Sequence, residues 1–127
     1  MSLLQPTLKT RLHVGTLPHG KQLHATRWRQ SLCVLMDSPP SAGPSSPLGC
    51  PTIYIFRAED STAPLAVLPL RSKHVRMRTV HSSLFDRHHA FELLTASEAY
   101  FFQCGHAEEF STWLEVSLPC SRHVAVT

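Results

Sequence analysis

The chain has 127 residues, of which 43% are hydrophobic and 17% are charged, and its formal net charge is +3 at pH 7. This length is typical of one domain that buries a core without disulfides or metal ions, and this composition excludes a disordered chain. Because no segment approaches the ~20 apolar residues of a membrane span and residues 1–10 lack the apolar run of a signal peptide, we expect a soluble cytoplasmic domain.

The charges are distributed unevenly along the chain. Residues 1–85 hold ten Lys and Arg against three Asp and Glu, a net charge of +7, whereas residues 86–127 hold two against six, a net charge of −4. A domain polarised in this way turns its basic side towards an anionic surface. The alternative is that the polarity serves only solubility.

The N-terminal part predicts a β-hairpin after a flexible lead-in at residues 1–10. Residues 11–17 alternate between apolar and polar side chains, which is typical of a strand. A turn signal follows at 18–20, and residues 28–36 predict a second strand. The two strands are close enough in sequence to pair.

A Pro/Ser-rich segment then interrupts the strands. Five prolines stand among serines and glycines in residues 37–51, so we predict a disordered loop inserted in the domain rather than an interdomain linker. Residues 52–57 and 65–70 predict the third and fourth strands, and Pro69 favours either an edge position or a strand end for the fourth.

The fifth predicted strand, residues 73–80, alternates between apolar and basic side chains. Its basic side is either a solvated strand face or a secondary basic face that adds attraction to an acidic membrane, at about 1 kcal/mol per cation. The cations of this secondary basic face are Arg71, Lys73, Arg76 and Arg78.

The C-terminal third predicts two strands, residues 89–93 and 99–104, and a helix that ends before Pro119. Trp113 lies on the apolar side of this helix and is predicted to be core, and residues 119–127 form a tail. Since no helix lies between strands, a parallel α/β sheet is excluded. The chain therefore predicts a mainly β fold, a seven-stranded antiparallel sheet bent into a sandwich or a partly open barrel, capped by one C-terminal helix.

The cysteines, at positions 33, 50, 104 and 120, are scattered and predict free, buried thiols. Cys104 and His106, like Cys120 and His123, have the spacing of metal ligands, but a structural zinc site needs two tight pairs on stable turns. Because Cys104 ends a predicted strand and Cys120 lies in the tail, we expect neither a metal nor another cofactor.

The pattern resembles the pleckstrin homology (PH) domain family over residues 11–118, apart from the Pro/Ser-rich insertion. The segments that carry the resemblance are Gly15–Leu17, Trp28 with Leu32–Leu35, Ile53–Phe56, Phe91–Leu93, Tyr100–Gln103 and Glu108–Leu114. The chain looks most similar to the β-spectrin-type PH domain, through residues 28–35 and through residues 89–93 followed by Phe102 and Gln103. The resemblance implies a PH-like fold.

The resemblance also implies a non-catalytic domain that binds phosphoinositide head groups, proteins or both. Many phosphoinositide-binding members place a Lys at the end of the first strand and Lys/Arg-x-Arg on the second. Here Lys21 lies in the first loop, Arg29 takes the first basic position, and Ser31 stands where the second cation is expected. Arg27 shares the face of Arg29 if the second strand begins that early.

Spectrin-type members bind the head group between the first loop and the loop after the fifth strand. By position, the candidates from the two loops are Lys21, Thr26, Arg27 and Trp28, and residues 84–88 with Arg87 and His88. The second loop holds one permanently charged cation, Arg87, where spectrins carry a run of lysines. We therefore expect weak and poorly stereospecific binding of the head group. Leu84 and Phe85 in that loop either insert into lipid or pack over the barrel rim.

Two functions stay open at this stage. The first is a monomeric membrane-recruitment module in a spectrin-like, actin-binding cytoskeletal or membrane-skeleton protein, peripheral at the membrane and weakly bound to phosphoinositides. The alternative is a protein-protein interaction module with little or no lipid binding, which uses an edge strand or the groove between helix and sheet. An enzyme is the least expected class, because the sequence contains no nucleophile motif. Nucleic-acid binding is also not expected, because the basic residues are not interleaved with aromatic ones.

Overall fold

A computed structural model describes residues 6–38, 50–71 and 75–117, and within these ranges seven antiparallel strands form one sheet. The strands are β1 (Pro6–Pro18), β2 (Arg27–Ser38), β3 (Cys50–Phe56), β4 (Ala66–Pro69), β5 (Arg76–Val80), β6 (Ala90–Leu94) and β7 (Glu98–Gln103). A short 3-10 helix spans Leu23–Ala25, and helix α1 spans Ala107–Ser117. The sheet curls into a half-barrel, so the predicted fold class is confirmed.

The strands lie in the order β4-β3-β2-β1-β7-β6-β5. The long strand β1 pairs with β2 from Pro6 to Thr16 and with β7 from His13 to Pro18, so it joins the two halves of the sheet. β4 lies at one edge of the sheet, as predicted. Proline has no backbone N–H, and an edge strand tolerates Pro69 because one side of the strand has no neighbouring strand to bond with.

The predicted lead-in and the predicted Pro/Ser-rich loop are both shorter in the structure. β1 begins at Pro6, five residues before the predicted start, because Leu8 pairs with Leu35 and packs against the core. The predicted loop at 37–51 is also shorter, since Ser38 pairs with Cys50 at the ends of β2 and β3. The remainder of the predicted lead-in and insertion, residues 1–5 and 39–49, and the predicted tail, residues 119–127, lie outside the described residues.

One apolar core fills the concave side of the sheet under α1. Trp113 of α1 is completely buried and stacks at 6.4 Å from Phe91, which in turn stacks at 4.9 Å on Phe102. The helix begins with reciprocal caps, because the Gly105 N–H donates to the Glu109 carboxylate and the Glu109 N–H donates to His106 Nδ1. Trp113 is therefore core, as predicted, and α1 closes the sheet.

A second apolar cluster lies on the outer face of the sheet, across β1, β2 and β7. Its buried members are Leu17, Ala99 and Phe101, and Trp28 and Phe85 pack against them. Gly15 faces Trp28 across the ladder, and a Cβ atom at Gly15 would lie 2.9 Å from the indole and 2.8 Å from Thr26 Cγ2. The indole therefore occupies the space that a side chain at position 15 would need.

We expect Gly15→Ala to lower the free energy of unfolding by about 1–3 kcal/mol, because the added methyl group overpacks the contact with Trp28. Urea denaturation measures this loss. Gly105→Ala is the matched control, since its nearest neighbour would lie at 3.7 Å, and it should change stability by less than about 0.5 kcal/mol. Equal stability of the two variants would contradict the close approach of the indole.

The structure describes the thiols of Cys33 and Cys104, and both are free and buried, as predicted. Burial, followed by the nearby Cys104, raises the pKa of Cys33 far above its ordinary value. Burial, followed by the charge of Glu109, raises the pKa of Cys104 to about 12. Both thiols are thus held in the protonated form in the folded state.

This shift predicts alkaline destabilisation. Because the folded pKa lies above the unfolded one, the stabilising contribution is complete below the ordinary value of 9.0 and is lost as the pH rises through about 12. Urea denaturation between these pH values should show a falling free energy of unfolding. The fall should be shallower in a Cys33→Ala/Cys104→Ala variant, and an identical slope would contradict the buried, protonated thiols.

Candidate functional site

The loop between β1 and β2 is held by its own hydrogen bonds. Gly20 reverses the chain with φ +84°, and the Lys21 N–H donates to the Pro18 carbonyl at 3.3 Å. At the other end of the loop, the Thr26 N–H and Oγ1 both donate to the Leu23 carbonyl, at 3.0 and 2.7 Å. The loop therefore presents Lys21 and the start of β2 in a fixed geometry.

Arg27 and Arg29 extend from the same face of β2, because the strand begins at Arg27 and pairs it with Thr16. Two adjoining recesses of about 580 and 300 Å³ share Thr16 and Arg27 in their lining. We call them together the basic recess. Its cations are Lys21, Arg27 and Arg29, and its other lining residues include His24, Thr26 and Ser31.

β7 adds an acidic and a phenolic group to the basic recess. The Tyr100 hydroxyl donates to the Glu98 carboxylate at 2.8 Å, and both residues line the recess beside Arg27 and Arg29. Burial raises the pKa of Tyr100, and the hydrogen bond to Glu98 and its charge add to this effect. Arg27 and Arg29 form no ion pair with any described residue, so their charges face solvent.

Sequence reasoning did not find Glu98 and Tyr100. They reach the recess because Tyr100 pairs with Thr16 and Glu98 with Pro18 in the ladder between β7 and β1. Only the pairing of strands that are distant in sequence carries this information. Ser31 is nearly inaccessible, at 2% exposure, so the position expected to hold a second cation holds a buried hydroxyl.

Trp28 and Arg87 meet on the opposite face of the sheet. The Arg87 guanidinium lies 4.1 Å from the centroid of the Trp28 ring, and its Nη1 donates to Gln103 Oε1. Phe85 packs edge-on against Trp28 at 5.2 Å and against Phe101 at 4.7 Å. Of the two interpretations of Phe85, packing is therefore correct, and Arg87 anchors its loop.

The structure consequently divides the predicted lipid site. Strand alternation sends Arg27 and Arg29 to the basic recess and sends Trp28, with Arg87 above it, to the outer face. His88 is not among the residues that line the basic recess, and its ring lies 6.1 Å from His89, which in turn lies 5.9 Å from Phe110 of α1. Lys21 and Thr26 line the recess with Arg27.

The predicted secondary basic face is only partly described. Arg76 and Arg78 are exposed on β5, but the Arg78 Nε donates to the buried carboxylate of Glu92. Arg71 is half-buried beyond the end of β4, and Lys73 lies outside the described residues. Of the described cations in this set, Arg76 is the one that lies on β5 without an ion pair.

An apolar groove occupies the position between the two loops on the outer face. Its volume is about 380 Å³, and we call it the outer groove. The apolar lining consists of Leu17, Pro18, Leu23, Leu84, Leu94, Ala99 and Phe101, and His19 and Gly20 also line the groove. Lys21, Arg78 and Glu92 supply its charges. The spectrin-type interpretation expected a cationic site here, and it missed this lining because the apolar residues come from four separate parts of the chain.

The described residues contain no group of three side chains that could hold a metal ion. None of the helices in the described ranges is long and apolar enough to cross a membrane.

No protein-family model matches the sequence. The PH domain of human pleckstrin homology domain-containing protein family A member 5 is 15% identical, with a TM-score of 0.64, and the match covers all of this chain and 85% of that one. The carboxyl-terminal PH domain of pleckstrin is 16% identical, with a TM-score of 0.60 and coverage of 96% and 100%. The PH domain of ArhGAP27 is 15% identical, with a TM-score of 0.60 and coverage of 91% and 99%. The chain thus has the fold of PH domains.

Proposed function

We propose that this chain is a non-catalytic module that attaches its host protein weakly to anionic membrane surfaces that carry phosphoinositides. The observation that carries the proposal is the basic recess, in which Lys21, Arg27 and Arg29 line adjoining hollows and make no ion pair with a described residue. Phosphate groups accept charge-assisted hydrogen bonds from Lys and Arg. A phosphorylated head group fits this chemistry.

The attachment is weak because the recess holds few cations and one acid. Three cations contribute about 1 kcal/mol each near an anionic surface. Glu98 opposes part of this attraction, and the hydroxyl of Tyr100 holds its carboxylate in the recess. Few directed contacts to individual phosphates also mean little discrimination between head groups of equal charge. A spectrin-like, cytoskeletal host and a peripheral position at the membrane remain part of the proposal.

Protein interaction with little lipid binding remains the second candidate function. The outer groove favours it, because an apolar hollow between two loops is suited to a side chain of a partner.

The proposal predicts that Arg27→Gln/Arg29→Gln weakens binding to phosphoinositide vesicles about 30-fold at low salt, since two cations are lost. Vesicle sedimentation measures the partition coefficient. Arg57→Gln/Arg76→Gln is the matched control, because it removes two exposed charges that do not line the recess, and it should retain most of the binding. Phosphatidylserine vesicles of the same surface charge should bind to a similar extent.

Two outcomes would contradict the proposal. Retention of no more protein by phosphoinositide vesicles than by neutral vesicles at low salt removes lipid binding and leaves protein interaction. Equal losses in the recess variant and the control variant would indicate attraction by net charge alone, without a site.

A further inference from the structure

The outer groove is built from apolar side chains that the fold of the domain does not fully cover. Leu23 and Leu84, on the two opposing loops, are 42% and 43% exposed, while the floor residues Ala99 and Phe101 are only 5% and 2% exposed. A volume of about 380 Å³ accommodates one or two side chains of a ligand. The groove is therefore deep at its base and apolar along both walls.

Both walls are fixed before any ligand arrives. The wall that carries Leu84 is anchored by two neighbouring residues that pack on Trp28. These contacts are made by the ring of Phe85 and the guanidinium of Arg87. The wall that carries Leu23 is held by hydrogen bonds from Thr26 to the Leu23 carbonyl. Preorganised walls lose little conformational entropy on binding, which favours affinity from a small apolar contact.

The charges of the groove select the ligand. Arg78 is neutralised by the carboxylate of Glu92, whose side chain is only 5% exposed. Lys21 also lines the groove and makes no ion pair with a described residue. A polyphosphorylated head group needs several free cations, whereas a single carboxylate needs one cation.

We propose that the outer groove binds a segment of a partner protein that presents an apolar side chain next to a carboxylate. The apolar side chain fills the hollow between Leu23 and Leu84 above Phe101, and the carboxylate pairs with Lys21 at the rim. A flat bilayer surface does not reach the floor between the loops, but a single Leu, Ile, Met or Phe side chain does. This site lies on the opposite face of the sheet from Arg27 and Arg29, shares Lys21 with the basic recess, and does not require lipid binding there.

The test selects peptides from a random linear library displayed on phage, with the full chain immobilised, and measures the selected peptides by fluorescence anisotropy. We expect the selected sequences to share Leu, Ile, Met or Phe beside Asp or Glu. Leu84→Glu and, separately, Leu23→Glu should weaken these peptides about tenfold or more, because each places a carboxylate in the apolar wall. The exposure of both residues makes the substitutions compatible with folding.

Val67→Glu is the matched control, because Val67 is 49% exposed on β4 and does not line the groove. It should leave peptide affinity unchanged. Arg27→Gln/Arg29→Gln should also bind the peptides normally while it loses vesicle binding. Failure of the groove proposal and failure of the lipid proposal are therefore distinguishable.

Several results would overturn the proposal. The first is that no peptide is enriched on the unmodified chain relative to the Leu84→Glu variant. The second is that the selected peptides are basic or polar, and the third is that Leu84→Glu leaves their affinities unchanged. Loss of vesicle binding in Leu84→Glu without any selected peptide would assign the groove to the membrane instead. Self-association of the unmodified chain that Leu84→Glu abolishes in analytical ultracentrifugation would assign it to a second copy.

Discussion

The pairing of β1 with two strands at once is the constraint on which both surfaces of this domain depend. Over His13–Thr16, β1 is hydrogen-bonded to β2 on one side and to β7 on the other. The partners of Gly15 are Trp28 and Phe101, and the partners of Thr16 are Arg27 and Tyr100. Because successive side chains of a strand point to opposite faces, adjacent positions of β1 support the aromatic cluster on one face and the basic recess on the other.

Gly15 makes this arrangement possible. The Trp28 indole lies over its backbone and provides the platform for Arg87 and Phe85, which fix the loop between β5 and β6. That loop forms one wall of the outer groove through Leu84. The shape of the groove thus follows from the absence of one side chain in the central strand, at a distance from the groove itself.

The periodicity of apolar residues was sufficient to predict the strands and the burial of Trp113, and Pro69 was sufficient to predict the edge position of β4. These properties depend on the local sequence alone. The early start of β1 was not predictable in this way, because Leu8 is held by Leu35 of the neighbouring strand. The ends of a strand depend on its partner, and the partner is known only from the fold.

The cations of the candidate site were also predictable, but not their roles. Arg87 was expected to meet phosphate, whereas its guanidinium is occupied by Trp28 and by Gln103 of β7. Arg78 was expected to be a free cation, whereas Glu92 of β6 lies opposite it in the ladder and pairs with it. In both cases the partner comes from another strand, so the charge count alone overestimated the number of cations on the outer face that are free to bind phosphate.

Lys21 connects the two proposed ligands, because it lines both the basic recess and the outer groove. A carboxylate that pairs with Lys21 from the groove removes one of three cations from the recess. At about 1 kcal/mol per cation, this weakens attachment to an anionic surface about fivefold. Since coupling between two binding sites is reciprocal, the membrane weakens the peptide by the same factor. One lysine in the first loop therefore gives the two proposed sites a negative coupling without any change in the fold.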